Sequence, residues 1–336
     1  MKLIIQIPCF NEEKTLPATV ADIPREIEGI DRVEILVIDD GSTDRTVEVA
    51  KGLGVEHIIR NKGNKGLAFS FISGLNTCLK LGADIIVNTD GDNQYKGEFI
   101  PRLIAPILSG EADIVVGDRK TDHIGHFSPV KKRLQKLGSL VVRLLSKTDV
   151  PDAVSGFRAF SRDAAMRTNI VSAYSYTVET IIQAGNKKLT VKSVPVETNP
   201  QTRPSRLMKS MPRFIMNQLN TMVRMYTMFK PMRVFFIIGF FCLFAAMIPL
   251  ARFLIYYFMG MGEGHIQSLI FGAILFIIGF QVMVIALLGD VISFNRKLVE
   301  ETLYRVKRME FDYVKGKQDG PEQTRNQGGA EDENPL

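Results

Sequence analysis

A chain of 336 residues that is 46% hydrophobic has material for a full core and a further element, and lies outside the disordered class. The net charge of +6 is a poor argument for nucleic acid, because the basic excess gathers beside apolar segments, where anionic lipid headgroups are the simpler partner. Three widely separated cysteines, Cys9, Cys78 and Cys242, show no ligand spacing, and a reducing compartment suits them as small packing residues without chemistry.

The opening MKLIIQIPCFNEE reaches a proline and acids before any apolar stretch adequate for a signal peptide, which predicts that the first part of the chain stays in the cytoplasm. Short β-rich runs follow: LIIQI at 3–7, EILVI at 34–38, HII at 57–59, DIIV at 84–87 and DIVV at 113–116. Between them lie stretches with helical spacing, notably 43–53 and 66–81. This alternation predicts an α/β domain with a mostly parallel sheet, whose ligands bind beyond the carboxyl ends of the strands. Polar clusters sit at those ends: PCFNEE after the first strand, DDGSTD after the second, NTDGDNQ after a later one and GDR after the next. Each alone reads as a solubilising turn, since Asp-Gly is an ordinary turn signal. Four in the same relative place predict one crevice.

From 198 to 262 there is no acidic residue, while Arg203, Arg206, Lys209, Arg213, Arg224, Lys230 and Arg233 fall in the first part of that stretch. Apolar residues recur there at helical spacing, predicting a basic amphipathic helix over 207–231 that lies in a membrane interface. Two uncharged runs follow, 234–251 and 266–289. At about 1.5 Å per residue each can cross a hydrocarbon core of about 30 Å, so transmembrane helices are expected over about 233–258 and 266–290, within a hairpin at 232–292. Basic residues flank the outer ends of the hairpin and are missing from its loop around 259–265, which places both termini in the cytoplasm by the positive-inside rule. Gly272, Gly279 and Ala286 repeat every seven residues, a small-residue face on which either the hairpin packs on itself or subunits meet, so a homo-oligomer through the transmembrane helices is expected. A basic cytoplasmic helix is expected over 293–314, and 315–336 has a disordered composition.

The stretch NTDGDNQY, 88–95, carries the most chemistry. GNKGLAFS lacks the spacing of a P-loop and GLGVEH lacks the third glycine of a dinucleotide fingerprint. Residues 90–101 fail as an EF-hand, with Tyr95 at the glycine position and Pro101 at the glutamate position. Alternation along an extended turn can aim Asp90, Asp92 and Gln94 to one side, and oxygen-only ligands in that number suit Mg²⁺ or Mn²⁺, completed by water and substrate phosphate.

PCFNEE, DDGSTD, NTDGDNQY, GDR and SGFRAF, in this order and spacing, resemble the inverting family 2 glycosyltransferases of GT-A fold, specifically the dolichol-phosphate mannose synthase branch that acts on polyprenyl phosphates. The resemblance covers about 1–206 and implies a GT-A catalytic domain ahead of the interfacial helix and hairpin. It implies a nucleotide-diphosphate sugar donor, UDP- or GDP-linked, and an undecaprenyl or dolichyl phosphate acceptor. By it, Pro8, Phe10 and Glu12 line the nucleotide pocket, Asp39 and Asp40 contact base or ribose, and Asp90, Gly91 and Asp92 flank the donor diphosphate. Asp92 and Gln94 become the direct metal ligands, with Asp90 a ligand or an outer contact. Arg119 lies near the donor and acceptor phosphates, Ser155 and Arg158 bind the lipid phosphate, with Arg162 a weaker candidate, and Arg203 and Arg206 close over the diphosphate. A phosphate monoester with a second pKa of about 6 is already a nucleophile near neutrality, so no histidine base is needed. His123 and His126 read as a flexible acceptor-side loop. A processive polysaccharide synthase would share the donor motifs, but those enzymes carry a QxxRW motif and this chain has no tryptophan. A non-catalytic nucleotide-sugar-binding scaffold would not need every polar residue that the chemistry uses.

Overall fold

A computed structural model of the chain describes residues 1–120, 129–172, 176–200, 211–260 and 263–319. The chain divides into two compact units, Met1–Arg206 together with Tyr304–Leu336, and Leu207–Leu303.

The first unit is built on a seven-stranded sheet of β1 (Lys2–Cys9), β2 (Arg32–Asp39), β3 (His57–Arg60), β4 (Ile85–Asn88), β5 (Ile114–Asp118), β6 (Arg158–Ser161) and β7 (Val191–Pro195), in the order β3-β2-β1-β4-β6-β5-β7. All neighbours are parallel except β6, which runs antiparallel to both β4 and β5. The five expected strands are present. β6 and β7 are additional, and neither RAFS nor VKSVP forms the apolar run that marks a buried strand.

Apolar runs such as LIIQI bury both faces, because helices cover the sheet on each side. The helices α1 (Leu16–Ala21), α2 (Thr46–Gly52) and α4 (Ile100–Leu108) bury Leu16, Ala50 and Leu103 in one cluster with Leu3, Ile5 and Ile35. On the other face lies α3 (Leu67–Lys80), whose Phe71 carbonyl is 3.5 Å from Gln6 Nε2 of β1. The remaining helices of this unit are α5 (Pro129–Ser146), α6 (Arg162–Arg167) and α7 (Thr177–Asn186).

Register fixes where the strands end. Cys9 pairs with Asp39 and Gln6 with Asn88, so the carboxyl ends of β1, β2 and β4 share one edge. Because β6 is reversed, its first residue, Arg158, pairs with Asn88 and Val116, and the loop that precedes it arrives at that same edge.

The second unit holds α8 (Met211–Phe229), α9 (Pro231–Phe258) and most of α10 (Ile266–Asp319). Two helices, Pro231–Phe258 and Ile266–Val314, are long and apolar enough to cross a membrane. Their outward side chains suit lipid: Phe241 is 68% exposed and Phe258 83%. The small-residue face is spent inside the hairpin. A Cβ on Gly272 would meet Leu250 Cγ at 2.7 Å, one on Gly279 would meet the Leu243 nitrogen at 2.9 Å, and Ala286 is fully buried. That face therefore supplies no separate argument for an oligomer. On α8, Met222 and Met225 are buried while Met216, Leu219 and Val223 are exposed, an apolar outer stripe at helical spacing.

The second apolar helix does not stop near 290. It runs on unbroken through the stretch expected as a separate basic helix, because no proline or turn signal interrupts DVISFNRKLVEE. Within the first unit its last part, from Tyr304, packs on α6 and α3. Tyr304 donates to Asp163 Oδ1 at 2.5 Å beneath the Arg167 guanidinium, 3.9 Å from the ring. Lys307 Nζ donates to Asn169 Oδ1 at 3.0 Å, Arg162 pairs with Asp312 at 3.3 Å, and Phe311 is 2% exposed. Removing that phenyl ring leaves a cavity costing about 3 kcal/mol. Phe311→Ala should therefore speed hydrogen exchange across 304–314 while β1 and β2 stay protected; unchanged exchange in the segment would show that the ring does not anchor it.

Candidate active site

The shared strand edge collects loops that are laced together. Asn11, in the left-handed region at φ 56°, accepts from the Thr43 amide at 2.8 Å and donates its own amide to Ser42 Oγ at 2.8 Å. The Glu12 amide donates to Thr46 Oγ1 at 2.8 Å, so PCFNEE and DDGSTD form one wall. Pro8 and Phe10 are half-buried in it and Glu12 is buried, its Oε2 accepting from Thr15 Oγ1 at 2.8 Å. Asp39 and Asp40 do different work. Asp39 is fully buried, with Oδ1 accepting from the Ser42 amide and Oδ2 3.0 Å from Arg60 Nε. Asp40 holds the following loop, accepting from Asn61 Nδ2 at 2.8 Å and from the amides of Lys65 and Gly66 at 2.9 and 2.8 Å.

At the end of β4 the chain turns against this wall. A Cβ on Gly91 would sit 3.0 Å from Cys9 Sγ and 3.4 Å from the Pro8 carbonyl oxygen, a tight fit that a side chain could take only if its neighbours moved by a few tenths of an ångström. Its carbonyl accepts from Thr15 Oγ1 at 2.8 Å. Asp92 Oδ1 accepts the Gln94 amide at 3.2 Å, and Asn93 takes a left-handed φ of 55°. Asn199 braces the turn from outside, donating its side chain to the Asn93 carbonyl at 3.0 Å and its amide to the Gln94 carbonyl at 2.9 Å. The alternation of Asp90, Asp92 and Gln94 is thus set on a fixed turn. Oxygen-only donors on such a turn fit a hard cation.

Across the crevice, Arg119 and Arg158 are already engaged. Arg119 meets Asp152 through two parallel bonds, Nε at 2.6 Å and Nη2 at 3.0 Å. Burial disfavours its charge, but the Asp152 carboxylate outweighs that and holds the guanidinium protonated. Arg158 is completely buried and donates Nε to the Ser155 carbonyl at 2.9 Å, Nη1 to Thr177 at 2.7 Å and Nη2 to Ala153 at 2.8 Å. Burial lowers its pKa to about 10, outweighing the nearby Tyr176 and Asp152. Ser155 is also fully buried, and its Oγ has no hydrogen-bond partner among the described residues. Arg162, read as a weaker phosphate candidate, donates to the Ala83 carbonyl at 3.1 Å and pairs with Asp312. Arg203, Arg206, His123 and His126 lie outside the described residues.

A buried network underlies the site. Gln6 Nε2 donates to Asn88 Oδ1 at 2.9 Å, and Asn88 Nδ2 donates to the Gly156 carbonyl at 2.9 Å and to Tyr176 Oη at 2.8 Å. The Gly156 amide donates to Tyr95 Oη at 3.0 Å. Burial, then the nearby Asp90 charge, pushes the Tyr176 hydroxyl up; burial likewise raises Tyr95, to about 12. The sequence carried a signal for part of this, since Asn88 is a carboxamide closing an apolar strand.

A mostly parallel sheet with one reversed strand, and acidic residues on the turn after β4, is the architecture of the GT-A fold. Residues 4–168 match the family model described as "Glycosyl transferase family 2". A UDP-N-acetylglucosamine–dolichyl-phosphate N-acetylglucosaminyltransferase of Methanococcus voltae is 31% identical over 213 residues, covering 57% of this chain and 83% of that protein. An undecaprenyl-phosphate mannosyltransferase of Micrococcus luteus is 25% identical over 206 residues, covering 58% and 83%. Among solved structures, glucosyl-3-phosphoglycerate synthase from Mycobacterium tuberculosis, in complex with Mn²⁺, UDP-glucose and phosphoglyceric acid, matches in fold with a TM-score of 0.52 at 21% identity, covering 66% of this chain and 79% of that one. The chain belongs to glycosyl transferase family 2, and it is a glycosyltransferase.

Arg158 is open to a decisive substitution, because a lysine keeps the charge but cannot span three carbonyls. Each buried carbonyl left unpaired costs roughly 1–3 kcal/mol. Arg158→Lys should lower unfolding stability by about 3 kcal/mol in denaturant titration. Unchanged stability with weakened binding of the acceptor would return Arg158 to the role of phosphate clamp.

Proposed function

We propose that the chain transfers a sugar from a nucleoside-diphosphate sugar to the phosphate of a polyprenyl phosphate at a membrane surface, with inversion at the anomeric carbon. One observation carries the donor half. Asp90 and Asp92 lie on the turn that follows β4 at the shared strand edge, while Arg119 pairs with Asp152 and Arg158 with three carbonyls. Two carboxylates beside a bound diphosphate repel it, and a divalent ion held between them relieves that repulsion.

Mg²⁺ or Mn²⁺ fits these donors, with Asp92 and Gln94 as direct ligands and Asp90 as a ligand or outer contact; when bound it would neutralise the departing nucleoside diphosphate. Pro8, Phe10, Glu12, Asp39 and Asp40 form the wall for the nucleotide, with Asp40 shaping the 61–66 loop. Gly91 keeps the turn close to that wall. Arg203 and Arg206 follow the strand-end segment that braces Asn93 and Gln94, which suits a role closing over the diphosphate. Arg119 and Ser155 border the acceptor side, and Arg158 frames it from behind.

The acceptor half rests on the two relatives, one named for a dolichyl-phosphate and the other for an undecaprenyl-phosphate reaction, and on the apolar hairpin in the same chain. A lipid phosphate is ionised near neutral pH, so the protein need only hold it in line and exclude water. The basic residues flanking the hairpin favour a cytoplasmic catalytic domain, with the 207–231 helix lying in the interface.

Asp92→Ala discriminates catalysis from binding alone. The variant should remain folded and membrane-bound yet lose about 100-fold in sugar transfer to polyprenyl phosphate. Transfer at the unsubstituted rate would remove Asp92 from the metal site.

A further inference from the structure

Gly156, in the SGFRAF stretch, does not owe its identity to backbone conformation. The glycines with positive φ are Gly29, Gly41, Gly54, Gly66, Gly82, Gly110 and Gly260, and Gly156 is outside that group, in a conformation open to other residues. What it lacks room for is a side chain. A Cβ there would lie 3.0 Å from both carboxylate oxygens of Asp90 and 3.1 Å from Tyr176 Oη.

The peptide on which that contact rests is gripped on both sides. Its amide donates to Tyr95 Oη at 3.0 Å, and its carbonyl accepts from Asn88 Nδ2 at 2.9 Å and Tyr176 Oη at 3.3 Å. Each phenol is itself immobilised by its ring. Tyr176 stacks on Phe71 with centroids 3.8 Å apart and planes 2° from parallel, and Tyr95 stacks on Phe157 at 5.1 Å. Tyr176 and Asn88 are fully buried and Tyr95 is 3% exposed.

We propose that Gly156 is a positioning residue for the donor site: its peptide, fixed by Tyr95, Tyr176 and Asn88, is the bed that sets the Asp90 carboxylate in place. The acceptor-side loop thereby fixes the geometry of a donor-side acid. This rests on the reading of Asp90 as part of the metal and diphosphate site.

The test uses the full-length protein in lipid nanodiscs, with Mn²⁺ binding measured by electron paramagnetic resonance in the presence of UDP. Gly156→Ala should weaken Mn²⁺ binding by about 10-fold, the scale on which partners that orient metal ligands act. Asp90→Ala should weaken it at least as much, and the double variant should be no worse than Asp90→Ala, because both changes remove one property. Tyr176→Phe keeps the ring stack and removes only the hydroxyl; it should give a smaller loss of about 3-fold, and it decides the matter if Gly156→Ala does not fold. Wild-type Mn²⁺ affinity in Gly156→Ala, or in Tyr176→Phe if that variant must stand in, overturns the proposal while leaving the donor site intact, provided Asp90→Ala binds weakly. Additive losses in the double variant also overturn it. Wild-type affinity in Asp90→Ala would sink the metal reading of Asp90 and this inference with it.

Discussion

A carboxamide buried at the end of a strand has to find partners inside the protein, and at Asn88 that requirement ties the two halves of the crevice together. Fully enclosed, its amide and carbonyl would each cost roughly 1–3 kcal/mol if left unpaired. Gln6 on β1 satisfies the oxygen, while the Gly156 carbonyl and Tyr176 hydroxyl satisfy the nitrogen. Those bonds cross from a parallel strand to the loop ahead of an antiparallel one. The turn carrying Asp90 and Asp92 begins at the next residue, so the acids inherit the position of a strand end that cannot slide.

The same economy governs charge. Opposite the acids, two of the cations the sequence suggested for phosphate binding have partners inside the fold, Arg119 with Asp152 and Arg158 with backbone carbonyls. Breaking the buried Arg119–Asp152 pair by removing one member would leave an uncompensated charge, which is costly.

Much of this frame was legible in the sequence. Five strands announced themselves as apolar runs, and four polar clusters marked their carboxyl ends. The hairpin was visible from two uncharged stretches, although the join between its second helix and the basic segment was not, since an unbroken helix has no signal beyond the lack of a breaker. β6 was hidden for a different reason. RAFS is short, its first residue is arginine, and its reversed direction is decided by the residues it pairs with, Asn88 and Val116. That reversal gives SGFRAF a structural part beside the phosphate-binding part expected of it, because Arg158 is buried and meets Thr177, a residue that no local spacing connects to it. The roles of Tyr95 and Tyr176 were unreadable for the same reason: their partners are distant in sequence and close only in the folded sheet.

The central claim is transfer of a sugar from a nucleotide to a membrane-held phosphate under control of a divalent ion. Membranes containing the chain, incubated with a polyprenyl phosphate, Mn²⁺ or Mg²⁺ and a panel of radiolabelled UDP- and GDP-sugars, test it most directly. The account predicts a labelled glycolipid from at least one donor, abolished by EDTA and restored by the metal. No glycolipid from any donor, or one formed equally well in EDTA, would contradict it.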